Sequence, residues 1–324
     1  MAKQSLQASR DVAAADGDVG KERRKYRPEI DGLRAVAVIA VIVNHFNKDA
    51  LPSGYLGVDI FFVISGFVIT GSILGRPHQS FGAGLAGFYS RRIKRLVPAL
   101  VFCVVLTSLA ICLFNPAPGV SLQTGMTALF GASNVYLYSQ STDYFAPSTE
   151  LNAFTHTWSL GVEEQFYLVF PFLLWLAGFW RLGQASAEVM RKRLVWIIGV
   201  PAAASLIGFI YFYAPNLAAV YFLMPFRFWE LGAGCLLALL TARRFAAVQS
   251  ASALHKIIIP VAALALVSTF FLADQGAFSP TLLAIALTCL LIYQIRPGNF
   301  IYKIPTHPFV VWIGLISYSL YLWH

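Results

Sequence analysis

An arginine and a histidine stand near the two ends of the apolar stretch "LRAVAVIAVIVNH", where each could take part in chemistry. Arg34 and His45 are eleven positions apart. Eleven steps of about 100° return to within about 20° of the starting direction, so both side chains lie on one helix face, about 16 Å apart along its axis. Such a histidine can act as a general base or a nucleophile. The alternative is that Arg34 is a snorkelling anchor and His45 an interfacial residue.

Two carboxylates in apolar surroundings are candidate partners of this histidine. Asp59 lies in "GYLGVDIFFVISGF", and Glu163 lies in "HTWSLGVEEQFYLVFP". We expect Asp59 at a depth similar to that of His45, where a carboxylate would fix the tautomer of the imidazole and stabilise its protonated form. Glu163 precedes Tyr167 by four positions and shares a helix face with it. The alternative for Asp59 is a structural charge at a helix N-terminus, favoured by the macrodipole.

A basic cluster in "FYSRRIKRLVPA" is suited to an anionic ligand. Arg91, Arg92 and Arg95 carry guanidinium groups, which match phosphate oxygens bidentately. The alternative is a cluster that contacts lipid headgroups and sets topology. The preceding "GAGLAG", residues 82–87, fits the glycine pattern of a dinucleotide-binding site. That function requires a strand before the motif, and the sequence predicts none there. We predict a loop there.

Two further polar positions lie in apolar runs. In "PFRFWELGAG", Arg227 and Glu230 are three positions apart and can pair on one helix face. Arg227 is expected to meet an acid such as Glu163, Glu230 or Asp59, and that contact could be purely architectural. Tyr321, in "SYSLYLWH", is a candidate contact for a substrate or a member of an aromatic belt.

The elements that must position these residues are membrane helices. Of 324 residues, 58% are hydrophobic and only 12% are charged, which excludes an ordinary soluble protein. The net charge of +9 is divided among short clusters between apolar runs, so it indicates membrane topology and not a nucleic-acid surface. All four cysteines lie in apolar runs without metal-type spacing. The sequence has no Ser-His-Asp elbow, zinc motif or Walker motif, and we predict no metal site.

The apolar runs predict an all-α, polytopic transmembrane bundle of about nine to ten spans. Residues 1–25 are predicted to form a disordered cytoplasmic tail, and residues 26–324 a single transmembrane domain. The chain stops inside an apolar run, so we expect a truncated protein that lacks any extracytoplasmic domain. The candidate spans are 33–46, 56–75, 96–114, 121–138, 158–179, 194–213, 217–241, 257–273, 278–295 and 308–324.

Charge decides between nine and ten crossings. If all ten segments cross, the basic segment 181–193 falls outside and segment 141–157, which has no Lys or Arg, falls inside, against the positive-inside rule. If 121–138 instead dips in and returns, or lies at the interface, 20 of the 22 Lys and Arg other than Lys3 and Arg10 lie on the cytoplasmic side. We therefore predict nine crossings with a cytoplasmic N-terminus.

Six stretches, in order, resemble the membrane-bound acyltransferase-3 family, whose members O-acetylate bacterial surface glycans. The resemblance covers residues 26–324 and rests on "YRPEIDGLRAVAVIAVIVNH", "GYLGVDIFFVISGFVIT", "FYSRRIKRLVPAL", "HTWSLGVEEQFYL", "FRFWELGAG" and "ISYSLYLWH". It implies acyl transfer from cytosolic acyl-CoA, usually acetyl-CoA, to a carbohydrate hydroxyl across the bacterial inner membrane. Acyl-CoA would be a co-substrate, with no permanently bound cofactor. Lipopolysaccharide, peptidoglycan or exopolysaccharide could be the acceptor.

The resemblance also assigns residues. By position, the family's Arg-x10-His pair falls on Arg34 and His45, and its Trp-Ser-Leu…Glu motif begins at Trp158. The predicted partners are acyl-CoA, a carbohydrate acceptor and the bilayer, with no nucleic acid. The predicted site contains His45, Asp59 and Glu163 as catalytic residues, Arg34, Arg91, Arg92 and Arg95 for the donor, and Trp158, Ser159, Arg227, Glu230 and Tyr321 for the acceptor.

Two other classes of protein fit part of the pattern. A proton-coupled transporter or flippase could use the same buried charges as a relay, but it predicts inverted repeats, and the two halves of the sequence show no internal symmetry. A non-catalytic membrane scaffold would leave the buried charges unexplained. Release of CoA from acetyl-CoA in the presence of a glycan would separate these classes.

Overall fold

The computed structural model describes residues 26–74, 80–143, 152–180, 187–241, 253–272, 278–297 and 300–324. Within these ranges the chain is helical and has no strand, which confirms the predicted all-α class. The predicted disordered tail, residues 1–25, lies outside the described residues. The described α-helices are α1 Pro28–Phe46, α2 Leu56–Leu74, α3 Phe81–Phe114, α4 Gly119–Leu129, α5 Ser133–Thr142, α6 Trp158–Leu176, α7 Ala187–Phe212, α8 Leu217–Phe222, α9 Met224–Thr241, α10 Ala253–Thr269, α11 Ser279–Gln294 and α12 Pro308–Trp323.

Three described helices, α2, α3 and α7, are long and apolar enough to cross a membrane. Shorter apolar segments lie in α10, α11 and α12. The 34 residues of α3 extend over about 51 Å, well beyond a hydrocarbon core of about 30 Å. The loop predicted at 82–87 is wrong, because the Ser80 side chain caps the helix at the Ala83 N–H and the basic cluster continues it.

Segment 121–138, the least apolar candidate span, is divided between two short helices. α4 and α5 have 11 and 10 residues, so each extends over only about half of the hydrocarbon thickness. The break contains Gly131, whose φ of 66° lies in the left-handed region. A Cβ at Gly131 would also overlap the side chain of Glu164. The glycine therefore serves both the turn and the close approach of α6.

The main chains of α2 and α9 are in close contact. A Cβ on Gly66 would overlap the carbonyl oxygen of Leu231, and a Cβ on Gly234 would overlap the carbonyl oxygen of Val63. Small residues at facing positions let two membrane helices pack with their main chains in contact. The separation of α2 and α9 therefore depends on the absence of side chains at both positions.

The same two helices share a buried ion cluster. Nη1 of Arg227 on α9 donates to Asp59 Oδ1 of α2 at 3.1 Å and to Glu230 Oε1 at 2.8 Å. The exposed fractions are 6% for Arg227, 2% for Asp59 and 0% for Glu230. The guanidinium also lies 5.5 Å from the ring centres of Trp158 and Tyr221. A guanidinium this deep is tolerated only beside carboxylates that pair with it.

Adding a methyl group at the α2–α9 contact should destabilise the bundle. We expect Gly234→Ala to lower the free energy of unfolding by about 2–3 kcal/mol, because the methyl group must displace main chain. Gly119→Ala is the matched control, since nothing lies within 4 Å of a Cβ there. Denaturation in mixed micelles measures both. Equal effects of the two variants would contradict the proposed close contact.

Removing the central cation should cost more than removing an exposed one. Arg227→Met leaves two buried carboxylates without their counter-ion, and we expect a loss of about 3–5 kcal/mol in unfolding free energy. Lys192→Met breaks an exposed pair with Glu188, 3.7 Å long, and should cost about 0–1 kcal/mol. The same denaturation assay compares them. A loss below 1 kcal/mol for Arg227→Met would show that the cluster does not hold the bundle together.

Candidate active site

A cleft of about 710 Å³, including its open mouth, lies between α1, α2, α3, α6 and α12. One face of α2 runs along it, with Val58, Phe61, Phe62, Ser65 and Val68 in the wall. These residues span ten positions, or about 15 Å. Charged side chains gather at one end of the cleft and hydroxyl groups at the other. We call these the arginine end and the hydroxyl end.

The arginine end contains Arg34, Arg92 and Arg95. Arg34 lies in α1, and its Nη1 is 3.5 Å from Asp31 Oδ1. Arg92 and Arg95 come from α3, and the guanidinium of Arg92 stacks on the Tyr167 ring at 4.8 Å from its centre. Two helices that are distant in sequence therefore bring three guanidinium groups to one cleft. This arrangement offers a polyanion, such as a group of phosphates, several bidentate donors.

The structure separates Arg91 from the other three arginines predicted for the donor. Arg91 lines a second cleft of about 400 Å³, whose walls include Phe88 and Trp180. Because successive helical residues point about 100° apart, Arg91 and Arg92 cannot face the same groove. The predicted role of Arg91 in the donor site gains no geometric support.

Glu163 lies midway along the cleft and both of its carboxylate oxygens accept hydrogen bonds. Ser65 Oγ donates to Oε1 at 2.7 Å, and the Tyr167 hydroxyl donates to Oε2 at 2.7 Å. Tyr167 in turn carries Arg92 on its ring face. Glu163 thus connects the α2 wall to the arginine end. It is placed to balance the charge of the arginines and is not in contact with His45.

Ser159 and Tyr321 form the hydroxyl end. Their oxygens are 2.7 Å apart, and the Tyr321 hydroxyl donates to the carbonyl oxygen of His156 at 2.9 Å. Ser159 Oγ also lies 3.4 Å from the same carbonyl oxygen, so either hydroxyl can donate to the other. This end of the cleft therefore presents two buried hydroxyl groups that share one main-chain acceptor.

His45 lies beyond the hydroxyl end and is exposed at the end of α1. Its ring centre is 5.1 Å from that of His324, and the ring of His324 is 5.1 Å from that of Tyr321. His324 therefore connects His45 to Tyr321, a residue that lines the cleft. The helix α1 does carry both Arg34 and His45, so their predicted spacing along one helix is confirmed.

Three predicted site residues lie in the ion cluster and not in the cleft. Asp59 contacts Arg227 and Glu230, whereas we had expected it to orient His45. Trp158 also lies away from the cleft, with its ring 4.5 Å from that of Tyr221. The main-chain carbonyl of Tyr221 accepts from Arg227 Nε at 3.3 Å. On the side away from the cleft, Tyr221 and Arg227 hold Trp158, the residue before Ser159, in place.

The structure adds two histidines that the predicted site did not include. His156 lies in the 3₁₀ turn Thr155–Thr157, and its ring centre is 5.3 Å from that of His324. Burial lowers the pKa of His156 to about 3, and the neighbouring His324 and His45 are further causes of the lowering. A sequence signal existed for both, since His156 is two positions before Trp158 and His324 follows Tyr321 by three. No group of described residues is arranged to hold a metal ion.

Comparison with known proteins agrees with these motifs. The acyltransferase-3 family model, described as an acyltransferase domain, matches residues 27–324. The O-acetyltransferase OatA of Staphylococcus aureus strain NCTC 8325 is 34% identical over 312 residues, which cover 93% of this chain and 50% of that protein. The putative O-acetyltransferase SAS0844 of Staphylococcus aureus strain MSSA476 is 31% identical over 319 residues, covering 94% of this chain and 51% of that protein.

The chain thus spans about half the length of the relatives it matches. No solved structure gives a significant match. The family match extends across all the helices that build the cleft. The chain therefore belongs to the acyltransferase-3 family.

Proposed function

We propose that the chain is an integral-membrane O-acyltransferase that moves an acetyl group from cytosolic acetyl-CoA to a carbohydrate hydroxyl on the other side of a bacterial inner membrane. One observation carries the proposal. A single cleft leads from three arginines to two buried hydroxyl groups, and an exposed histidine lies directly behind that end. The O-acetyltransferase names of the relatives support the chemistry.

The shape of the cleft suits a thioester donor with a charged head and a long arm. Arg34, Arg92 and Arg95 would bind the CoA phosphates, and the pantetheine arm would lie along the apolar face of α2. The length of that face, about 15 Å, is comparable to the reach of the arm. The acetyl group would then arrive at the hydroxyl end, beside Ser159 and Tyr321.

The histidine supplies base catalysis. His45 takes the proton of the sugar hydroxyl while the hydroxyl oxygen bonds to the thioester carbonyl carbon. The carbon–sulfur bond then breaks, and His45 returns the proton to the CoA thiolate. Ser159 and Tyr321 can donate hydrogen bonds to the oxyanion once they release each other and the carbonyl of His156. An acyl-histidine intermediate is the alternative route, and direct transfer needs no additional intermediate.

The packing of the first and last described helices supports an odd number of crossings. A Cβ on Gly314 of α12 would overlap the main chain of Asp31 in α1, so the two helices are in contact there. Farther along both chains, His324 contacts His45. α1 and α12 therefore run in the same direction, as the first and ninth of nine crossings would. Ten crossings would make them antiparallel. With a cytoplasmic N-terminus, His45 then faces the far side.

Replacing the histidine should abolish transfer without unfolding the protein. We expect His45→Ala to lower acetylation of a glycan acceptor by about 100-fold or more, because a general base contributes about 10²–10⁴-fold. CoA release by purified protein with acetyl-CoA and acceptor measures the rate. The control is His307→Ala, which should keep full activity. His307 is exposed and lies at the N-terminal end of α12, opposite the end that carries His324. Retained activity in His45→Ala would reject the catalytic role.

The arginine end should discriminate between donors by their phosphates. We expect Arg92→Gln with Arg95→Gln to raise the KM for acetyl-CoA by about a hundredfold or more, since each of the two lost hydrogen bonds to a charged group contributes about 1.5–3 kcal/mol. The KM for S-acetyl-pantetheine, which lacks the phosphates, should not change. Arg193→Gln, an exposed arginine of α7, is the control.

Ionic strength provides a second measurement on the same variants. The KM of the unsubstituted protein for acetyl-CoA should rise with salt, and the double variant should show a weaker rise, because screening acts on charges that it no longer has. Equal KM values for acetyl-CoA in all three proteins would mean that the cluster contacts lipid headgroups instead.

A further inference from the structure

A base imidazole needs a partner that decides which of its nitrogens is unprotonated. Neither carboxylate expected to do this for His45 is available. Both oxygens of Glu163 accept hydrogen bonds from Ser65 and Tyr167, and Asp59 belongs to the ion cluster of Arg227. The polar ring that does contact His45 is that of His324, at 5.1 Å between ring centres and 80° between ring planes.

The tautomer of His324 follows from its own hydrogen bond. Nδ1 lies 2.6 Å from the carbonyl oxygen of Tyr321. A carbonyl oxygen can only accept, so Nδ1 carries the proton and Nε2 is left with a lone pair. The main chain of α12 thus fixes His324 as a hydrogen-bond acceptor at Nε2.

The distance between the rings suits a hydrogen bond between them. An imidazole nitrogen lies about 1.2 Å from its ring centre and an N–H donor bonds over about 2.9 Å, so a collinear bond needs centres about 5.3 Å apart. The observed 5.1 Å fits this value. In the structure the two rings are in edge contact, with an angle of 80° between their planes.

His324 is packed among the rings of neighbouring side chains. The side chains that face it are His45 from α1, His156 from the 3₁₀ turn and Tyr321 from its own helix. His156 repeats the arrangement, with one ring nitrogen hydrogen-bonded to the main chain at Leu322 and a buried Nε2 that has no hydrogen-bond partner.

We propose that His324, a neutral imidazole in place of a carboxylate, is the positioning residue for His45. Its Nε2 accepts the N–H of His45 and leaves the other nitrogen of His45 free to take the proton of the acceptor hydroxyl. When His45 is protonated, the same hydrogen bond stabilises the imidazolium. The catalytic consequence rests on the proposed function, whereas the pairing of the two rings does not.

Two substitutions separate this role from packing. His324→Phe keeps a ring without an acceptor, and His324→Gln places an amide oxygen near the position of Nε2. We expect His324→Phe to lower kcat by about 10- to 100-fold with an unchanged KM for acetyl-CoA, and to move the acidic limb of the kcat/KM profile to lower pH. His324→Gln should recover most of the rate and the original profile.

A second measurement does not need turnover. Diethyl pyrocarbonate modifies unprotonated histidine, so the pH midpoint of His45 modification, followed by mass spectrometry, reports its protonation. We expect the midpoint to fall by about one pH unit in His324→Phe and to stay near the original value in His324→Gln. Coincident midpoints in the three proteins would overturn the pairing. A shifted midpoint in a protein that releases no CoA would support the pairing and reject the proposed function.

Discussion

The buried charge of Arg227 constrains the centre of this bundle more than any other group. A guanidinium in an apolar interior is tolerated only where carboxylates surround it, and here they come from two helices, Asp59 from α2 and Glu230 from α9. The main chains of these helices are in contact at Gly66 and Gly234. The ion cluster and the glycines therefore act on the same interface, one through charge and the other through shape.

This interface reaches the cleft through aromatic side chains. Arg227 lies against Trp158 and Tyr221, and the carbonyl of Tyr221 accepts from its Nε. Trp158 immediately precedes Ser159, whose hydroxyl is hydrogen-bonded to that of Tyr321 at the hydroxyl end. Arg227, which the sequence predicted to bind substrate, thus holds Trp158 and the start of the helix that carries Ser159. It does so without lining the cleft itself.

Sequence patterns predicted relations within a helix better than relations between helices. Helical arithmetic placed Arg34 and His45 on one helix, and polarity singled out segment 121–138, which Gly131 breaks. Depth in the membrane did not reveal that Asp59 faces α9 instead of His45, because depth says nothing about direction around a helix axis. The span predicted at 217–241 is divided at Leu223, which is extended, and Pro225 in the following turn was the available signal.

The last turn of α12 shows why the rest of the site needed a structure. It provides the Tyr321 hydroxyl, a main-chain carbonyl for the His324 ring and that ring itself. These three groups lie within residues 321–324. They contact the other residues of the candidate site only because α12 packs against α1 and the 3₁₀ turn at His156. Gly314 and Gly32 permit main-chain contact between the α12 region and α1 at Asp31 and Pro305. Because both helices run in the same direction from that contact, their packing at one end determines whether His324 meets His45 at the other.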